Sequence, residues 1–350
     1  MDILVLGGTG AMGVPLVKVL SEQNHQVYVT TRAEKQSDGN VVYLRGNAKN
    51  DEFFSQLMNR NYDVIVDFMV YSTNEFRNRV QTFLDHTDHY FFFSSARCYA
   101  DSEVPITEKS SRLVDVCQNE EYLALDEYGM AKGRQENLLF QSGKQNWTII
   151  RPYITYNSYR LQLGVYEKED WLRRALSGKT VVFPKDIAEK TTSMTFGPEL
   201  VGALVKLIGN PKALGQAFHI TTAESHTWNE ILQLYCRVIK ARTGKAPKIL
   251  MPDDSSGLQT VWNKWQIKYD RLFNRTFDNT KIESVIGKYL YHPTFEGLEE
   301  CLTAFIENPR WLGVNVKYEA WCDRQAKEFT TLKLFPGMKN KLKYLRYRFF

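Results

Sequence analysis

Through the first 150 residues, short apolar runs alternate with longer stretches whose apolar positions recur at helical spacing. Ile3–Leu6, Gln26–Thr30, Val41–Leu44, Val64–Phe68, Tyr90–Ser94 and Thr148–Arg151 are predicted as strands. Gly13–Gln23, Asp51–Asn59, Glu75–Leu84 and Asp126–Gln141 are predicted as helices. Strands that are apolar almost throughout, instead of at every second residue, suit a sheet buried on both faces. Helical crossovers of this length predict a parallel, doubly wound α/β sheet. The rhythm breaks after Arg151-Pro152, where polar and aromatic residues crowd positions 153–168. Residues 1–152 therefore read as one α/β domain and 153–335 as mainly a smaller substrate-binding domain. Within the latter, about 195–235 carries a strand at Phe218–Thr221 and a helix at Trp228–Ile239, which suit a return to the first sheet.

The first strand runs into Gly7-Gly8-Thr9-Gly10-Ala11-Met12-Gly13, which opens the first helix. Glycine at 7, 10 and 13 serves three needs: a tight turn, close approach of backbone to a pyrophosphate, and close helix–strand packing. The helix N-terminus adds free N–H groups and a partial positive charge. A glycine string alone says little; here it follows the first apolar strand directly, the context in which such a turn holds a dinucleotide. The expected fold is thus a Rossmann sheet, with Gly7, Thr9, Gly10, Ala11, Met12 and Gly13 on the cofactor. At the end of the second strand an acid would favour NAD by accepting from the adenosine ribose. This chain has Thr31-Arg32 there, and a guanidinium suits a 2′-phosphate, so NADP(H) is favoured with NAD(H) the alternative. Asn47 after the third strand, and Phe68 and Met69 after the fourth, complete the expected cofactor set.

Tyr128-Gly-Met-Ala-Lys132 puts a phenol and an ammonium one helical turn apart. With 19 tyrosines in the chain, roughly one such spacing arises by chance, so position matters more than the match. It lies on the helix entering the strand Thr148–Arg151. Upstream, the strand Tyr90–Phe93 ends in Ser94-Ser95-Ala96-Arg97-Cys98-Tyr99, at the sheet edge where open α/β folds bind ligands. A tyrosine near pKa 10 is a poor base unless cations favour its phenolate. Lys132 is expected to supply that charge and to hold the nicotinamide ribose, Tyr128 to move the proton, and Ser95 to hydrogen-bond the reacting oxygen.

These segments resemble the extended and atypical short-chain dehydrogenase/reductases, the NAD-dependent epimerase/dehydratase family. Gly7–Gly13 is similar to its GxxGxxG, Ser94–Tyr99 to its SSxxVYG, Tyr128–Lys132 to its YxxxK, and Arg151-Pro152 to its RP after the sixth strand. Asp278-Asn279-Thr280-Lys281 resembles the family's DNSK segment, and Pro293–Leu298 its final helix. The resemblance covers about residues 1–312. It implies a Ser95, Tyr128, Lys132 triad, a homodimer, and a nucleotide-linked sugar or polyol of surface polysaccharide synthesis as substrate, with Ser95, Arg97, Arg151, Tyr153 and Arg160 toward it.

The departures are specific. The acid after the second strand is missing, Ile154 stands where an asparagine is expected, and Thr192 stands where an arginine would grip the diphosphate. Arg151, Arg160, Lys168 and Lys190 are the cations available to replace it. Ala96-Arg97 follows Ser95 in place of an acidic pair, which disfavours dehydration and leaves epimerisation and keto-reduction open. Asp67-Phe68-Met69 and Thr30-Thr31-Arg32 look more like atypical members, including the chloroplast stem-loop RNA-binding proteins. A non-catalytic dinucleotide-binding scaffold or RNA-binding module is therefore the competing reading.

The formal charge of +5 narrows this further. Lys339, Lys341, Lys343, Arg346 and Arg348, with no acid after residue 336, account for all of it, so the body is neutral and nucleic acid is not the expected partner. The tail 336–350 also carries Tyr344, Tyr347, Phe349 and Phe350. It suits packing on the body or fraying, and alternatively a membrane surface or protein partner. No apolar run nears the roughly 18 residues of a membrane span. The five scattered cysteines and six histidines show no metal-ligand spacing, so no metal is expected. Together with the absence of a signal-like start, they suit a reducing cytoplasm. Trp262, Trp265 and Tyr269 read as helix core or a lid.

Overall fold

A computed structural model describes residues 1–350. Seven parallel strands form the central sheet: β1 (Asp2–Leu6), β2 (Gln26–Thr31), β3 (Val41–Arg45), β4 (Tyr62–Asp67), β5 (Thr87–Phe93), β6 (Trp147–Pro152) and β7 (Gln216–Ile220). Their order across the sheet is β3-β2-β1-β4-β5-β6-β7. Chain direction across the sheet reverses between β1 and β4, and that switch opens a crevice at the strands' C-terminal ends. The longer helices are α1 (Gly13–Glu22), α2 (Asp51–Leu57), α3 (Tyr128–Phe140), α4 (Gly197–Val205), α5 (Trp228–Thr243), α6 (Thr294–Glu307), α7 (Val316–Ala326) and α8 (Gly337–Phe349).

Both faces of the sheet are covered. Val5, Val29, Val66, Phe93 and Ile150 pack under Leu16 and Leu20 of α1 and Leu200 and Leu204 of α4. Leu4, Leu6, Ile65, Phe92 and Ile149 pack against Phe54, Phe83 and Leu139 on the other side. Burial on both faces explains why these strands read as unbroken apolar runs. The predicted helix Glu75–Leu84 is in fact two, Thr73–Arg77 and Val80–Asp85. At the break, the buried Arg79 guanidinium donates to the Ala48 and Lys49 carbonyls and pairs with Asp51. Those charge-assisted contacts compete with a continuous helix, and nothing in the local periodicity announces them.

Beyond residue 152 the chain builds a second apolar core, in which Trp171, Tyr235, Leu302 and Tyr318 are buried. It returns to the sheet at β7, which pairs in parallel with β6 from Gln216–Thr148 to Ile220–Pro152. The Asp278–Lys281 segment ties this lobe down: Asn279 donates to the Thr221 carbonyl and Lys281 to that of Ala217, both at 2.9 Å. The last residues are not frayed. In α8 the buried Tyr344 hydroxyl donates to Asp323 at 2.6 Å and accepts from the Thr330 N–H at 2.8 Å. No helix is long and apolar enough to cross a membrane.

Candidate active site

The glycine turn closes β1 and stays open to solvent at Thr9, Gly10 and Ala11. Gly7 sits at φ +72°, the left-handed region that only glycine enters cheaply. A Cβ on Gly13 would come within 2.5 Å of the Gly8 backbone, so α1 packs directly on the turn. No side chain caps α1, and no acid lies in its first turn, so its N-terminal N–H groups and partial positive charge remain available to an anion. Phe68 and Met69, half-buried at the end of β4, face Gly7: the position of its absent Cβ is 3.5 Å from Phe68 Cβ and 3.3 Å from Met69 Sδ. At the end of β2, Arg32 is exposed and makes no ion pair, whereas Glu34 is engaged by Arg45. Thr31 is buried and its hydroxyl is spent on Ala33 N–H and C=O. Asn47 is exposed and caps the Lys49 N–H at 3.1 Å. The Thr31 hydroxyl is thus engaged within the chain, whereas the Asn47 amide nitrogen has no partner.

Beside this turn, β5 delivers Ser94 and Ser95 to opposite tasks. Ser94 is buried and donates to Glu136 at 2.5 Å, whereas Ser95 faces the crevice and accepts from Arg97 N–H at 3.2 Å. The α3 helix begins at Tyr128 because Glu127 caps it, its carboxylate accepting from Gly129 N–H at 2.9 Å. The same carboxylate takes the Tyr122 hydroxyl at 3.0 Å and Arg97 at 2.7 Å. This fixes Tyr128 at a helix N-terminus, lining the same cavity as Ser95. Lys132, one turn on, is fully buried, and its ammonium has no hydrogen-bond partner.

Two cavities meet at Tyr128. One, of about 360 Å³, is lined by Met12 of the glycine turn, Ser95, Arg97, Tyr128, Tyr153, Ile154 and Arg160, among others. The other, of about 300 Å³, is lined by Lys49, Val70, Tyr71, Tyr128 and Lys132. Of the residues expected on cofactor and substrate, Met12, Ser95, Arg97, Tyr128, Lys132, Tyr153 and Arg160 line these two cavities. Arg151 was expected to face the substrate, but its guanidinium is buried and pairs with Glu136 at 2.8 Å and the Tyr99 hydroxyl at 2.8 Å. Arg112 also holds Glu136, at 3.1 Å, so this is an internal network. Of the other cations considered for a diphosphate, Lys168 is buried against Glu169, and Lys190 does not line the cavity. Arg160 does, and Glu167 at 3.6 Å holds it only loosely.

Sequence reasoning did not assign Gln162, Gln266 and Arg271 to this wall. Arg271 comes from a segment more than a hundred residues beyond Tyr128, and its charge is met by Asp270. Asp270 also lies 3.5 Å from Arg97, so that two of the three cavity arginines share one buried carboxylate. No local signal marks such a pairing. Trp262 lines the cavity, while Trp265 and Tyr269 stack on Tyr122 at 4.9 and 4.4 Å and belong to a small core.

The electrostatics differ from the expectation that Lys132 activates Tyr128. Burial pushes the Tyr128 phenol above its ordinary value, and the Arg97 charge, the Ser95 hydroxyl and Arg160 pull it back only in part. Burial also pushes Lys132 down to about 8, opposed by Asp67 and Glu136. Asp67, buried at the end of β4, is raised by burial to about 6, although Met69 N–H and the Tyr90 hydroxyl hydrogen-bond it. Tyr128 is therefore a proton carrier at neutral pH, and Lys132 a desolvated ammonium short of acceptors. A ribose hydroxyl would satisfy that ammonium, and the open glycine turn fits a pyrophosphate; the residues present fit a nicotinamide dinucleotide.

No protein-family model matches the chain. The chloroplast stem-loop binding protein of 41 kDa b from Arabidopsis thaliana is 27% identical over 237 residues, 63% of this chain. The chain's match spans 58% of that relative's length. Among solved structures, the Bordetella bronchiseptica enzyme WbmH, in complex with NAD+, superposes with a TM-score of 0.66 at 15% identity, covering 89% of this chain and all of that one. The UDP-glucuronic acid 4-epimerase from Bacillus cereus, in complex with UDP-glucuronic acid and NAD, gives 0.66 at 14% identity, again over 89% of this chain and all of that one. These superpositions show a shared fold: the chain has the Rossmann-like α/β fold of NAD-dependent epimerase/dehydratase structures.

Proposed function

We propose that the protein is an NAD(P)-dependent epimerase or keto-reductase acting on a nucleotide-activated sugar or polyol, with Tyr128 as general acid/base. The observation that carries this reading is the buried, unpartnered Lys132 ammonium one turn from Tyr128, which itself also lines the cavity reaching Met12 of the glycine turn. A bound nicotinamide supplies or accepts the hydride. Tyr128, protonated near neutrality, gives its proton to a substrate carbonyl oxygen, and the phenolate left behind takes the proton back from the corresponding hydroxyl in the reverse direction. Ser95 hydrogen-bonds that oxygen, and Lys132 holds the cofactor ribose. Arg97 is committed to Glu127 and Asp270, so Arg160 is the cation free to meet a substrate phosphate. The unpaired Arg32 supports NADP(H) over NAD(H).

A second reading, a dinucleotide-binding module that contacts RNA without turnover, draws support from the likeness to the stem-loop binding protein. Native mass spectrometry of the purified protein separates the two. Retained NADP together with a nucleotide-linked sugar supports the enzyme; retained RNA without nucleotide-sugar, and no hydride exchange with any such sugar, supports the module.

A further inference from the structure

The helix α8 presents an unpartnered face. Tyr344 anchors its inner side between Phe335 and Phe329, with ring centroids at 4.7 and 5.5 Å. At 100° per residue, Met338, Leu342 and Phe349 fall 120°, 160° and 140° from Tyr344. They are 69%, 59% and 56% exposed, so the outward stripe is apolar. Lys339, Lys343 and Arg346 border it on one side, Lys341 and Arg348 on the other, and no acid occurs from residue 337 onward. Phe350 continues the patch, and Phe329, half-exposed, lies 6.5 Å from Phe349.

Nearby acids do not neutralise this face. Asp323 and Glu319 of α7 are taken by Arg174 and Lys179, and Glu328 by Arg174. An apolar stripe bordered by cations on both sides matches a bilayer surface, where apolar side chains enter the acyl boundary and long cations snorkel to anionic headgroups. RNA would have no use for Met338 and Leu342, and a protein groove gives no reason for cations on both borders.

We propose that α8 docks the protein onto anionic phospholipid membranes, lying in the interface plane with Met338, Leu342 and Phe349 inserted. The test is flotation of the full-length chain with vesicles of phosphatidylcholine alone or phosphatidylcholine with phosphatidylglycerol. Binding to the anionic vesicles alone is expected. Leu342→Ser with Phe349→Ser, and separately Lys339→Gln with Lys343→Gln and Arg346→Gln, should each weaken it about tenfold or more. All five side chains are exposed, and unchanged thermal melting shows that each variant folds. Equal recovery on neutral vesicles, no recovery on either, or wild-type binding by the serine variant overturns the proposal. So does binding of RNA in place of vesicles, or burial of the stripe in a dimer.

Discussion

The Lys132 ammonium stands 5.9 Å from the centre of the Tyr128 ring and 4.6 Å from that of Phe92, with no hydrogen-bond acceptor in reach. A buried charge without a partner destabilises a fold, and proteins keep such groups where a ligand satisfies them. Asp67 lowers the cost from a distance but makes no ion pair with Lys132.

Lys132→Met is accordingly expected to stabilise the ligand-free protein near pH 7, by about 1–3 kcal/mol, while impairing cofactor binding. The sign follows from its pKa, lowered from 10.5 to about 8 by burial. Between those values the unfolded chain holds the proton that the folded chain has lost, so Lys132 makes stability rise with pH across that window. The methionine variant should lose this rise. Urea denaturation near pH 7 and near pH 10, for both proteins, measures it; an unchanged slope with pH contradicts the assignment.

The glycine turn separates two roles. Gly13→Ala forces a Cβ within 2.5 Å of the Gly8 backbone and should cost about 1–3 kcal/mol. A Cβ on Gly10 meets only the Gly7 carbonyl oxygen, at 3.5 Å. Gly10→Ala should therefore fold like wild type yet bind dinucleotide at least tenfold more weakly, because its methyl occupies the space a pyrophosphate needs. Thermal melting with a dinucleotide titration distinguishes them; normal binding by Gly10→Ala would remove the dinucleotide from the turn.

Arg32→Ala should raise the dissociation constant of NADPH about tenfold or more and leave that of NADH within about twofold. Calorimetric titration with both cofactors decides the preference. Equal effects on the two would leave Arg32 a solvated residue at a strand end.

The sheet was legible because each strand is buried on both faces. Val41–Leu44 and Thr148–Arg151 lie within observed strands one or two residues longer. The helix of Tyr128 was legible from its spacing, although its first residue is set by the Glu127 cap. Arg151 was misplaced because an RP dipeptide does not say that Glu136, fifteen residues earlier, consumes the guanidinium. Arg271 was missed for the complementary reason: it reaches the cavity from a distant segment through tertiary packing alone. Likewise, the charge acting on Tyr128 was assigned to its helical neighbour, whereas Arg97 and Arg160 arrive from other segments that only the folded chain brings near.

The most direct measurement is single-turnover hydride transfer between cofactor and a nucleotide-linked sugar by wild type and Tyr128→Phe, with dinucleotide affinity measured on both. Loss of transfer by about 10²-fold to 10⁴-fold with affinity kept within a few-fold is the predicted result. Transfer at the wild-type rate by the phenylalanine variant would contradict the account.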